Sequence, residues 1–376
     1  MVRMKRSFLV SLSLAALVLG GCVSTPKPVS TEKPRVFFPF PPEVPKVEFK
    51  GAYRSENDFP KKESRFLDAL LGENEGEMRF KRPTDIASNG EGMVYISDAE
   101  NGKVYVYDLV NYNIHFLAEG KIFKKPLGLA TDGDGHIYVV DKDVNKVLVF
   151  DRDEKPLNSI GGSDYFDWPV GVAVDDNLGR VYVTDTRRHS VSAFDKKGGF
   201  LFSFGKKGGA DGEMNFPVDL EVAPDGSIVV VDMINSRVQI FDSSGKFVRA
   251  FGKRGDNVDA FSMLKGVGID SESHIYLTDA DTGQIKIYNM EGSPLLTFGG
   301  KFPSRGPAWN IAGFGIPSGI DVDKKNGIHI ADQYNQMFQV FQYLDAEYLK
   351  NNPLPEIAGE EADSEKTEAL PNDSKK

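Results

Sequence analysis

The sequence predicts an all-β fold made of six similar units, and three observations carry that prediction. The segment VDMINSRVQIFDSSGKF (231–247) joins an apolar run ending in Asp232, a polar turn, the alternating run Arg237-Val-Gln-Ile-Phe241 and a second turn. That is the pattern of two antiparallel strands. It has five counterparts: MVYISDAENGKVYVYD, HIYVVDKDVNKVLVFD, RVYVTDTRRHSVSAFD, HIYLTDADTGQIKIYN and GIHIADQYNQMFQVFQ. Their landmark aspartates, Asp98, Asp141, Asp185, Asp232, Asp279 and Asp332, stand 43, 44, 47, 47 and 53 residues apart. Ahead of each lies a shorter signature (RPTDIASN, KPLGLATD, WPVGVAVD, FPVDLEVA, LKGVGID, IPSGIDVD), and a further apolar run often ends in Phe-Gly, as at Phe204-Gly205, Phe251-Gly252 and Phe298-Gly299. About four short strands per unit, at a period in the forties, make a propeller blade. One such unit cannot bury both of its faces, whereas six around an axis can. The expected architecture is a six-bladed β-propeller.

The elements follow in chain order. Residues 1–21 open with Arg3, Lys5 and Arg6 and continue through an apolar stretch from Phe8 to Gly21, too short to span a membrane with ease. They read as a secretory signal. Cys22, the single cysteine, follows Leu19-Gly20-Gly21 in the pattern of a bacterial lipobox, which makes it the expected lipidation site and the first residue of the mature chain. A disulfide within the chain is excluded. Residues 22–45 are Pro-rich and aperiodic, and read as a tether. Val47–Tyr53 (VEFKGAY) alternates, and the last repeat has no Phe-Gly strand of its own. The N-terminal segment is therefore expected to complete that blade and hide its edge. Residues 62–71 are expected to form a short helix or irregular link. The propeller is assigned to 46–350, and the acidic segment 351–376 to a disordered tail.

The signatures Pro-x-Gly-Val-Ala-Val-Asp, Ile-Tyr-Val-x-Asp, Asn-x-Arg-Val-x-Val-Phe-Asp and Gly-x-Phe with Phe-Gly together resemble the NHL repeat, over about residues 79–345. The match is strongest in blades three and four and weaker in blade five, where Leu264 replaces the usual Pro. The whole chain is similar to bacterial six-bladed NHL lipoproteins, through its Pro-rich tether, Val47-Glu-Phe-Lys50 and the phrase Phe216-Pro-Val-Asp219…Asn235-Ser-Arg-Val-Gln-Ile-Phe241. That resemblance implies a lipid-anchored cell-envelope protein whose partners lie among envelope complexes, multihaem cytochromes and other electron-transfer assemblies included. In lipoproteins an Asp after the acylated cysteine marks inner-membrane retention, so Val23 implies the outer membrane of a double-membrane bacterium.

The formal charge is −10, and loss of the three basic residues of 1–21 takes it to −13. An acidic envelope protein is a poor nucleic-acid binder. The sequence offers no Ser-His-Asp set, no Gly-rich phosphate loop and no cysteine cluster. The landmark aspartates sit at strand ends before turns, where carboxylates accept local backbone N–H groups. The tyrosines three places earlier (Tyr95, Tyr138, Tyr182, Tyr276) are expected to pack.

A six-bladed relative, the peptidyl-hydroxyglycine lyase, holds zinc with histidines. Here His115, His136, His189, His274 and His329 fall at turns, an outer strand and a tyrosine slot, with no convergence expected at one point.

Along the innermost strands, Ile86, Leu129, Val172, Leu220, Val267 and Ile320 are expected to pack between blades. The alternate positions face the channel and are mostly Gly or Ala, except Asp85, Asp219, Glu221 and Asp321. These four carboxylates form a candidate cation site, whose oxygen-only donors suit Ca2+ or Mg2+. The alternative is a water-filled, acid-lined channel with no specific ion. The loops between blades place Lys206, Lys207, Lys253, Arg254, Arg305 and Trp309 on one rim, a candidate surface for protein partners. Trp168, like Phe216, precedes a Pro and is expected to wedge between blades. The function expected is partner binding or scaffolding. The rival is a metal-dependent lyase or lactone hydrolase working at the channel.

Overall fold

The structure is a computed structural model that describes residues 35–40, 42–59, 78–255, 257, 260–302 and 310–355. Six sheets surround one axis, antiparallel except where Gly313–Phe314 pairs parallel with Pro294–Lys301. Blade four shows the pattern: Pro217–Val222, Ile228–Asp232, Arg237–Phe241 and Phe247–Phe251 pair in sequence order from the axis outward. The innermost strands, Pro83–Ser88, Pro126–Thr131, Pro169–Asp175, Pro217–Val222, Leu264–Ile269 and Pro317–Val322, neighbour one another in that order, and the last returns to the first. Five begin with Pro, and each has a register shift within its first few residues. A residue without an N–H is tolerated at a strand start beside a bulge.

The expected inter-blade set is buried throughout: Ile86, Leu129, Val172, Leu220, Val267 and Ile320 each lie in a hydrophobic cluster shared between neighbouring sheets. The landmark aspartates are fully buried and structural. Asp98 accepts from the Lys81 and Arg82 N–H groups, and Asp185 from Asp167 and Trp168 at the start of the inner strand and Arg187 and Arg188 in the turn. Asp141, Asp232, Asp279 and Asp332 repeat the first contact. Each carboxylate thus ties the end of the second strand to the start of the first, which answers why the residue recurs.

The Phe-Gly signature has an equally local cause. Gly252 has φ +94°, and a Cβ there would lie 2.1 Å from the ring of Phe261, the buried anchor of the following loop. Glycine alone leaves room for that ring and adopts the left-handed backbone without strain.

Closure comes from the N-terminus. Strand β2 (Val47–Tyr53) pairs antiparallel with Met337–Tyr343, Val47 opposite Tyr343 and Tyr53 opposite Phe338. The tether assignment needs one correction. Residues Val36–Phe38 form a further strand, β1, paired with β2, and Phe37 and Phe38 are buried. Phe38 packs against Phe298 and Phe341 at ring distances of 5.5 and 6.1 Å. The prolines hide this three-residue run from periodicity, but its apolar side chains cover the seam between blades five and six. Arg35 then pairs with Glu48 at 2.8 Å and donates to the Pro353 carbonyl, and Tyr348, in a short helix (α1, Ala346–Asn351), donates to Glu48 at 2.9 Å. The proposed signal, Cys22, most of the tether, the 62–71 link and the tail beyond 355 lie outside the described residues.

Because the strands alternate in direction, the loops between blades and the second-to-third-strand turns share one face, here the mouth face. The first-to-second and third-to-fourth turns share the other. Among the described residues of these connections, basic side chains outnumber acidic ones on the mouth face, and acidic outnumber basic on the other. Among the described residues, then, the mouth face is the more basic of the two.

Candidate functional site: the channel and its mouth

Two layers of side chains line the bore. One consists of Asp85, Gly128, Gly171, Asp219, Gly266 and Gly319; the next of Ala87, Ala130, Ala173, Glu221, Gly268 and Asp321. All four candidate carboxylates therefore face the channel, and each has work to do there. Asp85 accepts from the Leu129 N–H of blade two at 2.8 Å, and a Cβ on Gly319 of blade six would stand 2.0 Å from its other oxygen. Asp219 accepts from the Val267 N–H of blade five at 2.9 Å and leans over Gly171 of blade three. Asp321 accepts from the Ser88 N–H of blade one at 2.8 Å. These three carboxylates staple neighbouring blades, and the glycines beside them exist to make room. Glu221 accepts from the adjacent Val222 N–H.

Desolvation in the narrow bore raises all four. Asp85 and Glu221 are pushed up to about 7 and Asp321 to about 8. Asp219 is raised by burial and then by the charge of Asp85. The donor set has the oxygen chemistry of a calcium or magnesium site. Yet at neutral pH protons already neutralise much of its charge, and three of the carboxylates have an oxygen committed to another blade. The geometry fits inter-blade staples better than a dedicated divalent site.

Toward the mouth face the bore opens into a cavity of about 150 Å³, floored by Asp85 and Asp219. Lys265 lines it, and its Nζ donates to Gln333 Oε1 at 3.3 Å. Sequence reasoning missed Lys265. The available signal was a cation in an inner-strand slot held by Thr84, Leu127, Val170, Val218 and Ser318 in the other blades.

With this geometry in hand, the comparisons with known proteins are decisive for the fold. The sequence model of the NHL repeat matches residues 123–150 and 166–194, and a model described as a 6-bladed beta-propeller matches 220–298. The chain is a six-bladed propeller with NHL repeats. No curated protein matches it. Among solved structures, the NHL propeller is similar to a structural genomics protein of unknown function from Bacteroides thetaiotaomicron, at TM-score 0.58 and 17% identity over 70% of each chain. It is also similar to an auxiliary nutrient binding protein from Bacteroides ovatus (0.54, 15%, covering 71% of this chain and 70% of that one). A streptogramin B lyase follows (0.53, 12%, 70% and 94%). Identities this low speak to fold alone.

The histidines of the NHL propeller do not converge. His136 and His274 bond Asp132 and Asp270 through Nδ1 at 2.9 and 2.8 Å; His329 bonds Asp323 at 3.1 Å. His115 bonds Glu154 at 2.8 Å, which raises its pKa, and His189 accepts from the Phe216 N–H. They sit in turns and strands of five different blades. Among the described residues one group, Asp132, Asp134 and His136, has metal-like spacing, but the Lys196 ammonium lies 2.9 Å from Asp132 and fills the cationic role.

On the rim, Lys207 and Arg254 belong to loops pinned by bridges to buried Met214 and Phe261. Lys206 pairs with Glu213 at 3.4 Å, while Lys207, Lys253 and Arg254 are exposed. Trp168 bridges blades as expected but is not simply a wedge: Lys142 of blade two and Arg187 of blade three lie 4.1 and 4.3 Å from its ring. Arg305 and Trp309 lie outside the described residues.

Proposed function

We propose that this NHL propeller is a lipid-anchored binding and scaffold module of the cell envelope that engages a protein partner through its mouth face. The observation that carries the reading is the charge difference between the two faces, the mouth face being the more basic among the described residues, with Lys206, Lys207, Lys253 and Arg254 exposed on it. That face suits an acidic protein surface, which it would steer and orient. Bridges from Lys207 to Met214 and from Arg254 to Phe261 hold these rim residues in place, which lowers the entropic cost of docking. Attachment through Cys22 and the outer membrane as location rest on the sequence around the lipobox, and an electron-transfer complex is the partner class the resemblance favours. The rival, a metal-dependent lyase or lactone hydrolase, needs converging ligands. Among the described residues the histidines are dispersed and the channel carboxylates hold blades together.

The test is comparative capture from detergent-solubilised native membranes. Wild type and an opposite-face variant (Asp151→Lys with Asp153→Lys) should retain the same partner. A mouth-face variant (Lys206→Glu, Lys207→Glu, Lys253→Glu) should lose it. Equal capture by all three would remove the mouth face from the reading. In the same cells Cys22→Ser should leave the membrane fraction, and a variant that still floats with membranes would remove the anchor.

A further inference from the structure

The cavity at the mouth of the bore has two unlike sides. Blades two to four contribute Leu127, Val170 and Val218; blades five, six and one contribute Lys265, Gln333, Ser318 and Thr84. Lys265 is half-buried, and among the described residues neither it nor Arg82 forms an ion pair. Burial first, and then the positive charge of Arg82, lower the hold of Lys265 on its proton. A cation kept partly dry beside a second cation is a standing electrostatic cost that a bound anion relieves. Apart from the Asp219 carboxyl at the floor, the wall across the cavity is apolar.

We infer that the mouth cavity is a binding site for a small organic carboxylate with a compact apolar or aromatic body, its charge against Lys265, within the field of Arg82 outside the cavity, and its body on Leu127, Val170 and Val218. The volume corresponds to about five water molecules at roughly 30 Å³ each, which bounds the enclosed body of the ligand at about one aromatic ring. The floor tolerates an anion below about pH 7, where desolvation leaves the Asp85 carboxyl mostly protonated and also raises Asp219. The site lies inside the ring of rim lysines and goes beyond the partner-docking reading. Lys206 and Lys207 do not line it, so either reading can fail alone.

The experiment is isothermal titration of the intact protein in detergent at pH 6.5 with benzoate, benzyl alcohol and inorganic phosphate. Benzoate should bind saturably, and benzyl alcohol at least about tenfold more weakly, the worth of one charged hydrogen bond. Lys265→Met should weaken benzoate by a similar factor at unchanged melting temperature, whereas Lys197→Met on the opposite face should leave it as in wild type. Arg82→Gln, an exposed substitution, should also weaken benzoate and serves if Lys265→Met does not fold. No saturable benzoate binding, or wild-type affinity in both Lys265→Met and Arg82→Gln, would overturn the site. Phosphate binding more tightly than benzoate would overturn its apolar half.

Discussion

Asp132 and Asp321 sit near corresponding ends of innermost strands, one just past Thr131 and the other just before Val322, yet they titrate in opposite directions. Desolvation acts on both. At Asp132 it is outweighed by Lys196 and His136, with the His136 N–H and the Tyr138 hydroxyl adding to them, and the carboxyl is held down to about 2. At Asp321 the bore supplies no cation. Desolvation dominates, Glu221 and Asp323 add to it, and His329 and the Ser88 N–H only partly offset it, so the carboxyl stands at about 8. One aspartate is a charged brace in the turn just past the end of its inner strand, the other a protonated staple within the bore. The lesson is that a partner of opposite charge, not burial alone, sets what a carboxylate does here: Asp132 has Lys196 beside it and Asp321 has no such ammonium.

The sharpest way to break the comparison is steric. A Cβ on Gly319 meets Asp85 backbone as well as side chain, at 2.5 and 2.0 Å, whereas one on Gly133, beside Asp132, meets only the movable tips of Asp176 and Lys324. Gly319→Ala should cost about 3 kcal/mol or more, at the upper end of overpacking, and Gly133→Ala less than about 1 kcal/mol. Urea unfolding of the two variants measures this, and equal midpoints would mean that the inner ring is not closely packed.

Next in size is the brace. Asp132→Asn leaves Lys196 and His136 without their shared carboxylate and should destabilise by about 1–3 kcal/mol at pH 7. Because the folded-state pKa is depressed, the stabilisation is present above the unfolded value of about 4 and is lost as pH falls toward 2. The difference between variant and wild type should therefore shrink in acid, and melting curves at pH 7 and pH 3 check it.

The staple should behave in the opposite sense. Its raised pKa means the folded state binds the extra proton between about pH 4 and about pH 8, so wild-type stability falls as pH rises through that window. Asp321→Asn keeps an oxygen to accept from the Ser88 N–H but cannot ionise. It should melt close to wild type at pH 5 and above it at pH 9. A variant that melts lower at both would show that the ionised carboxylate is the stabilising form.

The smallest expected effect concerns calcium. A dedicated site filled at a hundred times its dissociation constant would add about 2.7 kcal/mol. A channel neutralised by protons should show no calcium-specific rise in melting temperature at pH 6.5 over sodium chloride of equal ionic strength, the control that removes screening. A calcium-specific rise that Asp219→Asn abolishes would convert the staples into ligands.

Much of this molecule was legible as pattern. A period in the forties, the landmark aspartates and the Phe-Gly pairs record local physics, since a turn-capping carboxylate and a glycine under a ring act within one blade and its following loop. The closing role of Val47–Tyr53 was legible too, because the last repeat visibly lacked a strand. The Val36–Phe38 strand was not: three residues among prolines carry no period, and only the seam they cover explains them. The alternation of the inner strands put Asp85, Asp219, Glu221 and Asp321 in the bore. It could not say that Asp85 reaches the Leu129 N–H or that Asp321 reaches Ser88, because those contacts join residues 44 and 233 positions apart. Lys265 feels the charge of Arg82 for the same reason. Repetition along the chain specifies a blade, because a blade is built from neighbours in sequence. The charge state of the bore and the sidedness of its mouth arise only where six blades meet, and there desolvation and pairing are decided by residues that the chain itself keeps far apart.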